Sequence, residues 1–67
     1  MRIDARGSQG NTFYIISVVK KLLEDVGRHD EWADVYEDMT SGDYQHLCNV
    51  AYRATNGSIE VINREGL

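Results

Sequence analysis

The chain has 67 residues, 42% of them hydrophobic, with no proline, one cysteine and a formal net charge of −4. It has room for one domain, residues 1–67, with a modest core, because so short a chain buries only about 60% of the surface that its unfolded form exposes. The composition excludes collagen-like, low-complexity and disulfide-stabilised proteins, and the length excludes a multidomain enzyme.

The first predicted element is a strand over residues 2–6, where apolar and charged residues alternate. Glycines at positions 7 and 10 then predict a turn. From Asn11 or Thr12, either of which can cap a helix, the apolar period becomes helical and continues to Gly27, a typical helix stop. The apolar arc of this helix contains Ile15, Ile16, Val18, Val19, Leu22, Leu23 and Val26.

Two further helices and a strand are predicted in the second half. A helix from Glu31 to Met39, capped by Asp30, has a buried stripe at the i, i+3, i+4, i+7 spacing, formed by Trp32, Val35, Tyr36 and Met39. A third helix is capped by Ser41 or Asp43, carries Tyr44, Leu47, Val50 or Ala51, and Ala54 inward, and closes at Asn56-Gly57. A strand over 58–62 follows, and the last five residues are expected to fray.

The expected fold class is therefore α+β: a small single domain of one strand, three helices and a second strand. Two strands alone form a marginal sheet in water. We expect the terminal strands to pair with each other and pack on the helices, or to add to a second copy of the chain. Homo-oligomerisation is a reasonable way for so small a core to gain stability.

The turn between the first strand and the first helix is one candidate ligand site. Backbone N–H groups at a helix start can bind an anion, and nearby hydroxyls and a guanidinium can add contacts. The segment lacks the fingerprints of a P-loop and of a dinucleotide site. A purely structural turn, with glycine at positive φ followed by a cap, explains the same residues. The candidate residues are Arg6, Gly7, Ser8, Gly10, Asn11 and Thr12.

The second candidate site is acidic. Residues 30–43 contain six Asp and Glu and no Lys or Arg, whereas residues 1–28 carry five bases against three acids. Such a face can be merely solvated, can meet a basic patch on a partner, or can bind a divalent metal, for which no loop supplies converging oxygens. The candidate partner-binding residues are Glu31, Trp32, Asp34, Tyr36, Glu37 and Asp38.

No catalytic, metal or cofactor site is predicted. His46 and Cys48 are two residues apart on a helix and so point in different directions, which disfavours a Cys–His nucleophile pair. Cys48 is expected to be a small buried or half-buried hydrophobic residue. No second cysteine or HExxH motif offers zinc ligands, and the two histidines have no evident partner carboxylate in a cleft. The sequence therefore predicts a protein that is not an enzyme.

Composition also limits the partners. Nucleic acids and anionic membranes attract clustered Lys and Arg, so neither is expected, although Arg2, Arg6, Lys20, Lys21 and Arg28 could form a minor basic strip. The longest apolar stretch, 13–19, is far shorter than the roughly 20 residues that span a bilayer. With no signal-peptide pattern and a lone cysteine, the expected location is the cytoplasm.

Two turn motifs carry a resemblance to known proteins. The first is Asp4 before Gly7, followed by Gly10-Asn11 and Phe13. The second is the run Thr40-Ser41-Gly42-Asp43-Tyr44 with Leu47. From Ile3 to Ile62 the chain resembles short accessory proteins of phage and prophage genomes. The resemblance implies a small protein of a mobile element, similar in size and acidity to inhibitors of host defence, and it names no target.

These observations lead to two main hypotheses. The first is a non-enzymatic phage-type accessory protein that binds and inhibits a host protein with a basic surface, such as a CRISPR or other anti-phage defence component. The alternative is an oligomeric sequestering protein that binds a phosphate-bearing nucleotide signal through the Gly7–Thr12 turn. A purely structural or regulatory oligomer is a third possibility.

Overall fold

A computed structural model describes residues 1–65. The order of elements is one strand, three α-helices and a second strand, with short 3-10 turns before the first and second α-helices. The predicted α+β class is confirmed; within the predicted domain of residues 1–67, Gly66 and Leu67 lie outside the described residues. The elements are β1 (Arg2–Asp4), α1 (Thr12–Asp25), α2 (Trp32–Met39), α3 (Tyr44–Ala54) and β2 (Glu60–Ile62).

The two strands pair in parallel, with Ile3 opposite Val61. The predicted pairing of the terminal strands is therefore confirmed. Parallel strands require a crossover connection, and the three helices between them supply it. Both strands are shorter than predicted. β1 stops at Asp4 because the Asp4 carbonyl and side chain accept hydrogen bonds from the next turn.

The core lies where α1 and α3 pack beside the sheet and the end of α2. On α1, the buried side chains are Ile15, Val19 and Leu23, which recur every fourth residue. Val26 was expected in the same arc but is 57% exposed, because the helix ends at Asp25. The other buried apolar residues are Ile3, Met39, Leu47, Cys48, Val50, Ala51, Ile59 and Val61.

The caps of α1 and α3 are formed by asparagine and aspartate. The Asn11 side chain accepts a hydrogen bond from the Tyr14 backbone N–H at 2.8 Å. Asp43, one of the two predicted caps of α3, accepts from the His46 N–H at 2.9 Å. Left-handed residues end both helices as predicted, with φ of +77° at Gly27 and +83° at Gly57.

The second helix begins one residue after its predicted start at about Glu31, but the predicted Asp30 cap is wrong. A 3-10 turn occupies His29–Glu31 and α2 begins at Trp32, with no side-chain cap from Asp30 or Glu31. The Trp32 N–H donates to the His29 carbonyl, so the turn satisfies a donor that a cap would otherwise satisfy. The predicted buried stripe is partly present, because Met39 is fully buried while Tyr36 is 46% exposed.

The chain after β2 is held against the rest of the domain. The Arg6 guanidinium donates to the Glu65 carbonyl at 2.9 Å, and the Gln45 amide donates to the Arg64 carbonyl at 2.9 Å. Fraying was predicted for the last five residues, but these hydrogen bonds hold Arg64 and Glu65 in place. Within residues 1–65, no helix has the length and apolar character needed to cross a bilayer.

Candidate functional site

The predicted acidic residues lie on or beside α2. Asp34, Glu37 and Asp38 are exposed on the helix, and Glu31 is exposed just before it. No Lys or Arg occurs on α2, because its polar positions are all acidic. We refer to Asp34, Glu37 and Asp38 as the acidic surface.

Two of the four predicted carboxylates are already paired within the chain. The Arg28 guanidinium donates to both oxygens of Glu31, at 2.8 and 2.7 Å. This pairing holds the pKa of Glu31 below its usual value of 4.5. Asp38 lies 2.9 Å from His46 Nε2 and 3.7 Å from Arg53 Nη2. In the part of the chain that the structure describes, Asp34 and Glu37 form no ion pair.

The two aromatic residues predicted at this site stack on each other. The rings of Trp32 and Tyr36 have centroids 5.6 Å apart and are tilted by 53°, a favourable geometry for an aromatic pair. Trp32 is partly buried against the core and Tyr36 is exposed. Trp32 thereby supports an exposed tyrosine that directly precedes Glu37.

Carboxylates converge around a shallow depression on α2. Its volume is about 320 Å³, and it is lined by the acidic surface together with Ser41. A long basic side chain can extend its alkyl stem along such a surface and place its charge among carboxylates. The arrangement is therefore suited to receive Lys or Arg from a partner.

The Gly7–Thr12 segment uses its polar groups internally. The Gly7 N–H donates to the Asp4 carbonyl at 3.0 Å, and the Gly10 N–H donates to the Gly7 carbonyl at 3.1 Å. The Asn11 amide donates to the Ser8 carbonyl at 2.9 Å. Arg6 also donates to Glu65, so several of the candidate ligand groups already have hydrogen-bond partners within the fold.

The reason for glycine in this turn differs from the prediction. Neither Gly7 nor Gly10 has a positive φ. A Cβ on Gly10 would lie 2.4 Å from the Ala5 carbonyl oxygen and 2.6 Å from its carbon. The Gly10 carbonyl also accepts a hydrogen bond from the Tyr44 hydroxyl. Gly10 therefore allows a close approach of two backbone segments.

Sequence reasoning missed a polar cleft between α3 and β2. Its volume is about 570 Å³. His46, Asn49 and Arg53 follow the i, i+3, i+7 spacing of one helix face, a signal that was present in the sequence. The residues lining this α3–β2 cleft are His46, Cys48, Asn49, Tyr52, Arg53, Glu60, Val61 and Arg64.

Cys48 forms part of the wall of the cleft. As predicted, it is buried, and burial raises the pKa of its thiol. The nucleophilic form of cysteine is the thiolate, so this environment favours a packing role. Residues 1–65 contain no cluster of three or more His, Cys, Asp or Glu able to hold a metal ion.

Several apolar side chains are exposed, and such side chains are relevant to the predicted self-association. Phe13, on the first turn of α1, is 84% exposed, and Met1 is largely exposed as well. Val18, Leu22 and Ile59 line a second, mostly apolar groove with Met1. Homo-oligomerisation stays a prediction.

Comparison with known proteins gives no further guidance to function. The chain matches no protein-family model, and searches of curated proteins and of solved structures found no match. The resemblance to phage and prophage accessory proteins thus stays a prediction, and function has to be argued from the geometry described above.

Proposed function

We propose that this protein is a non-enzymatic binding protein that engages a basic surface of a partner protein through the acidic surface and Tyr36. One observation carries the proposal. Asp34 and Glu37 are exposed carboxylates without an ion pair in residues 1–65, and Glu37 directly follows the exposed Tyr36.

Both parts of this surface have a role in recognition. Complementary charge steers a partner into register and accelerates association. Tyrosine is enriched among the residues that contribute most binding energy, since it buries a large area with little loss of side-chain entropy. Because Trp32 packs against Tyr36, the tyrosine is partly ordered before a partner arrives.

The partner we propose is a host protein that this chain inhibits. The resemblance to phage accessory proteins supports a component of CRISPR or another anti-phage defence. Defence proteins that hold nucleic acid do so with clustered Lys and Arg. An acidic surface can occupy such a groove and exclude the nucleic acid, which makes inhibition by competition the expected mode.

The first test reverses charge on the acidic surface. The variant is Asp34→Lys/Glu37→Lys, and it spares Asp38, whose contacts with His46 and Arg53 lie within the fold. The tagged protein should capture a partner from bacterial lysate, and the variant should lose it. Raising the salt to about 0.5 M should weaken capture of the partner by the wild type, since screening shortens the range of charge interactions.

The matched control is Glu24→Lys/Asp25→Lys, which makes the same change in net charge on exposed residues of α1. It should retain the partner. Capture that is equal in all three proteins, or independent of salt, would contradict the proposal. Tyr36→Ala should weaken binding about tenfold or more, as expected for a tyrosine that anchors an interface.

A second measurement tests inhibition of defence. Expression of the wild type in a bacterium with an active defence system should raise the plating efficiency of a phage that the system restricts. The Glu24→Lys/Asp25→Lys control should do the same, whereas Asp34→Lys/Glu37→Lys should leave the phage restricted. Equal plating with both variants would refute this mode of inhibition.

A further inference from the structure

The α3–β2 cleft gathers positive charge in an acidic protein. His46, Arg53 and Arg64 line it, and Glu60 is its one carboxylate. Glu60 Oε1 lies 3.3 Å from Arg2 Nε outside the cleft. Arg2 therefore offsets the charge of Glu60, and the guanidinium groups of Arg53 and Arg64 give the cleft a net positive charge.

Arg64 has the most unusual environment of the three. Its guanidinium Nη1 donates to the Gln45 carbonyl at 3.3 Å and to the Asn49 side-chain oxygen at 3.1 Å. Both acceptors are neutral, and within residues 1–65 no ion pair includes Arg64. The side chain is half-buried. Neutral acceptors position it, and within the described residues its charge has no carboxylate counterpart.

Arg53 supplies the second positive group, and His46 lines the cleft with it. Arg53 Nη2 is 3.7 Å from Asp38 Oδ2, beyond the usual length of a charge-assisted hydrogen bond. Its side chain is 67% exposed and can reorient at little cost. His46 Nε2 is closer to Asp38, at 2.9 Å. Asp38 thus contacts two side chains that line the cleft without itself lining it.

We propose that the α3–β2 cleft binds a small phosphate-bearing ligand, with Arg64 and Arg53 as its charged contacts and Asn49 and Tyr52 as neutral donors. The volume of about 570 Å³ falls within the range of small-molecule sites. The guanidinium group presents paired N–H donors that match two phosphate oxygens. The cleft adjoins the acidic surface at Asp38, but Asp34 and Glu37 do not line it, so either proposal can fail alone.

The experiment is a titration of the full chain with inorganic phosphate, followed by ¹⁵N NMR at neutral pH and constant ionic strength. The backbone amides of Asn49, Tyr52, Arg53 and Arg64 should shift with a saturable dependence on phosphate. Shifts that grow linearly without saturation would overturn the proposal. So would saturable shifts confined to residues 7–12, which would place the anion at the turn after β1.

Two variants and one control assign the site. Arg64→Gln should weaken phosphate binding by about tenfold or more, as the loss of charged hydrogen bonds implies. Arg53→Gln alters an exposed side chain, so it tests the cleft even if the half-buried Arg64 proves necessary for folding. Lys20→Gln makes the same charge change on an exposed residue of α1 and should bind phosphate as the wild type does. Equal affinity in all four proteins would overturn the proposal.

Discussion

At the residue scale, the two glycines of the turn after β1 differ in what surrounds them. Gly7 has φ −89° and ψ 178°, an extended conformation open to any residue, and a Cβ there would meet nothing closer than 3.5 Å. Gly10 is buried against the backbone of Ala5. Backbone atoms cannot rotate away as a side chain can, so the two positions should respond differently to the same added methyl group.

We expect Gly10→Ala to lower the free energy of unfolding by about 3 kcal/mol, the upper range for overpacking. Gly7→Ala should raise it by about 0.4–1 kcal/mol, because alanine restricts the unfolded chain without straining the fold. Urea denaturation of both variants provides the measurement. Equal midpoints would show that Gly10 is not held against Ala5.

The helix caps show how far the role of a single residue can be predicted from the sequence. Asn11 caps α1 and Asp43 caps α3, and each was one of two residues predicted for its cap. These caps are predictable because a capping side chain bonds to a backbone N–H within the next three residues. Asp30 does not cap α2, because it lies within the 3-10 turn over His29–Glu31 that leads into the helix. Arg28 reaches Glu31 and, at 2.9 Å, the carbonyl of Ala54 at the end of α3, and no local pattern reports that contact.

At the element scale, Thr55 joins the end of α3 to the start of β2. Its buried hydroxyl donates to the Ala51 carbonyl at 2.7 Å and accepts from the Ile59 N–H at 3.1 Å. Thr55→Val keeps the shape but leaves the Ile59 N–H without a partner. The free energy of unfolding should fall by about 1–3 kcal/mol, the cost of an unsatisfied buried polar group.

Thr55→Ser is the matched comparison, because it retains the hydroxyl and removes one methyl group, worth about 0.8 kcal/mol. Thermal or urea denaturation should rank the wild type above the serine variant and the serine variant above the valine variant. A valine variant as stable as the wild type would show that the Ile59 N–H does not depend on this hydroxyl.

The helices were predictable because their signals are periodic. Ile15, Val19 and Leu23 repeat every fourth residue, and Gly27 ends the pattern. The α3–β2 cleft was not predicted, although the stripe of His46, Asn49 and Arg53 was visible. Arg64 comes from the chain after β2, and only the complete fold brings it within reach of Asn49.

At the scale of the whole molecule, Arg28 links the loop after α1 to α2 and α3. The pKa of Glu31 is lowered by its hydrogen bonds to Arg28. A carboxyl whose pKa is lower in the folded state stabilises the fold fully above its unfolded pKa, and this contribution is lost as pH falls through the folded pKa. We therefore expect the stability of the domain to fall as the pH drops below about 4.5.

The measurement is the urea midpoint between pH 6 and pH 3. Glu31→Gln should show a smaller loss over this interval than the wild type, because it has no proton to gain at that position. The dependence of stability on pH that remains in the Glu31→Gln variant should come in part from Asp4, whose pKa is lowered mainly by the backbone N–H of Arg6. Identical slopes for Glu31→Gln and the wild type would contradict the assignment.

During synthesis, β1 leaves the ribosome long before its partner strand has been made. Turns of helix can form in microseconds from neighbouring residues. Ile3 pairs with Val61, which is synthesised only after almost the whole chain has been made. Closing so long a loop is slow, as it is for all contacts distant in sequence. We therefore expect the nascent chain to form helical turns first, with the side chain of Ile3 uncovered, and to complete its sheet last.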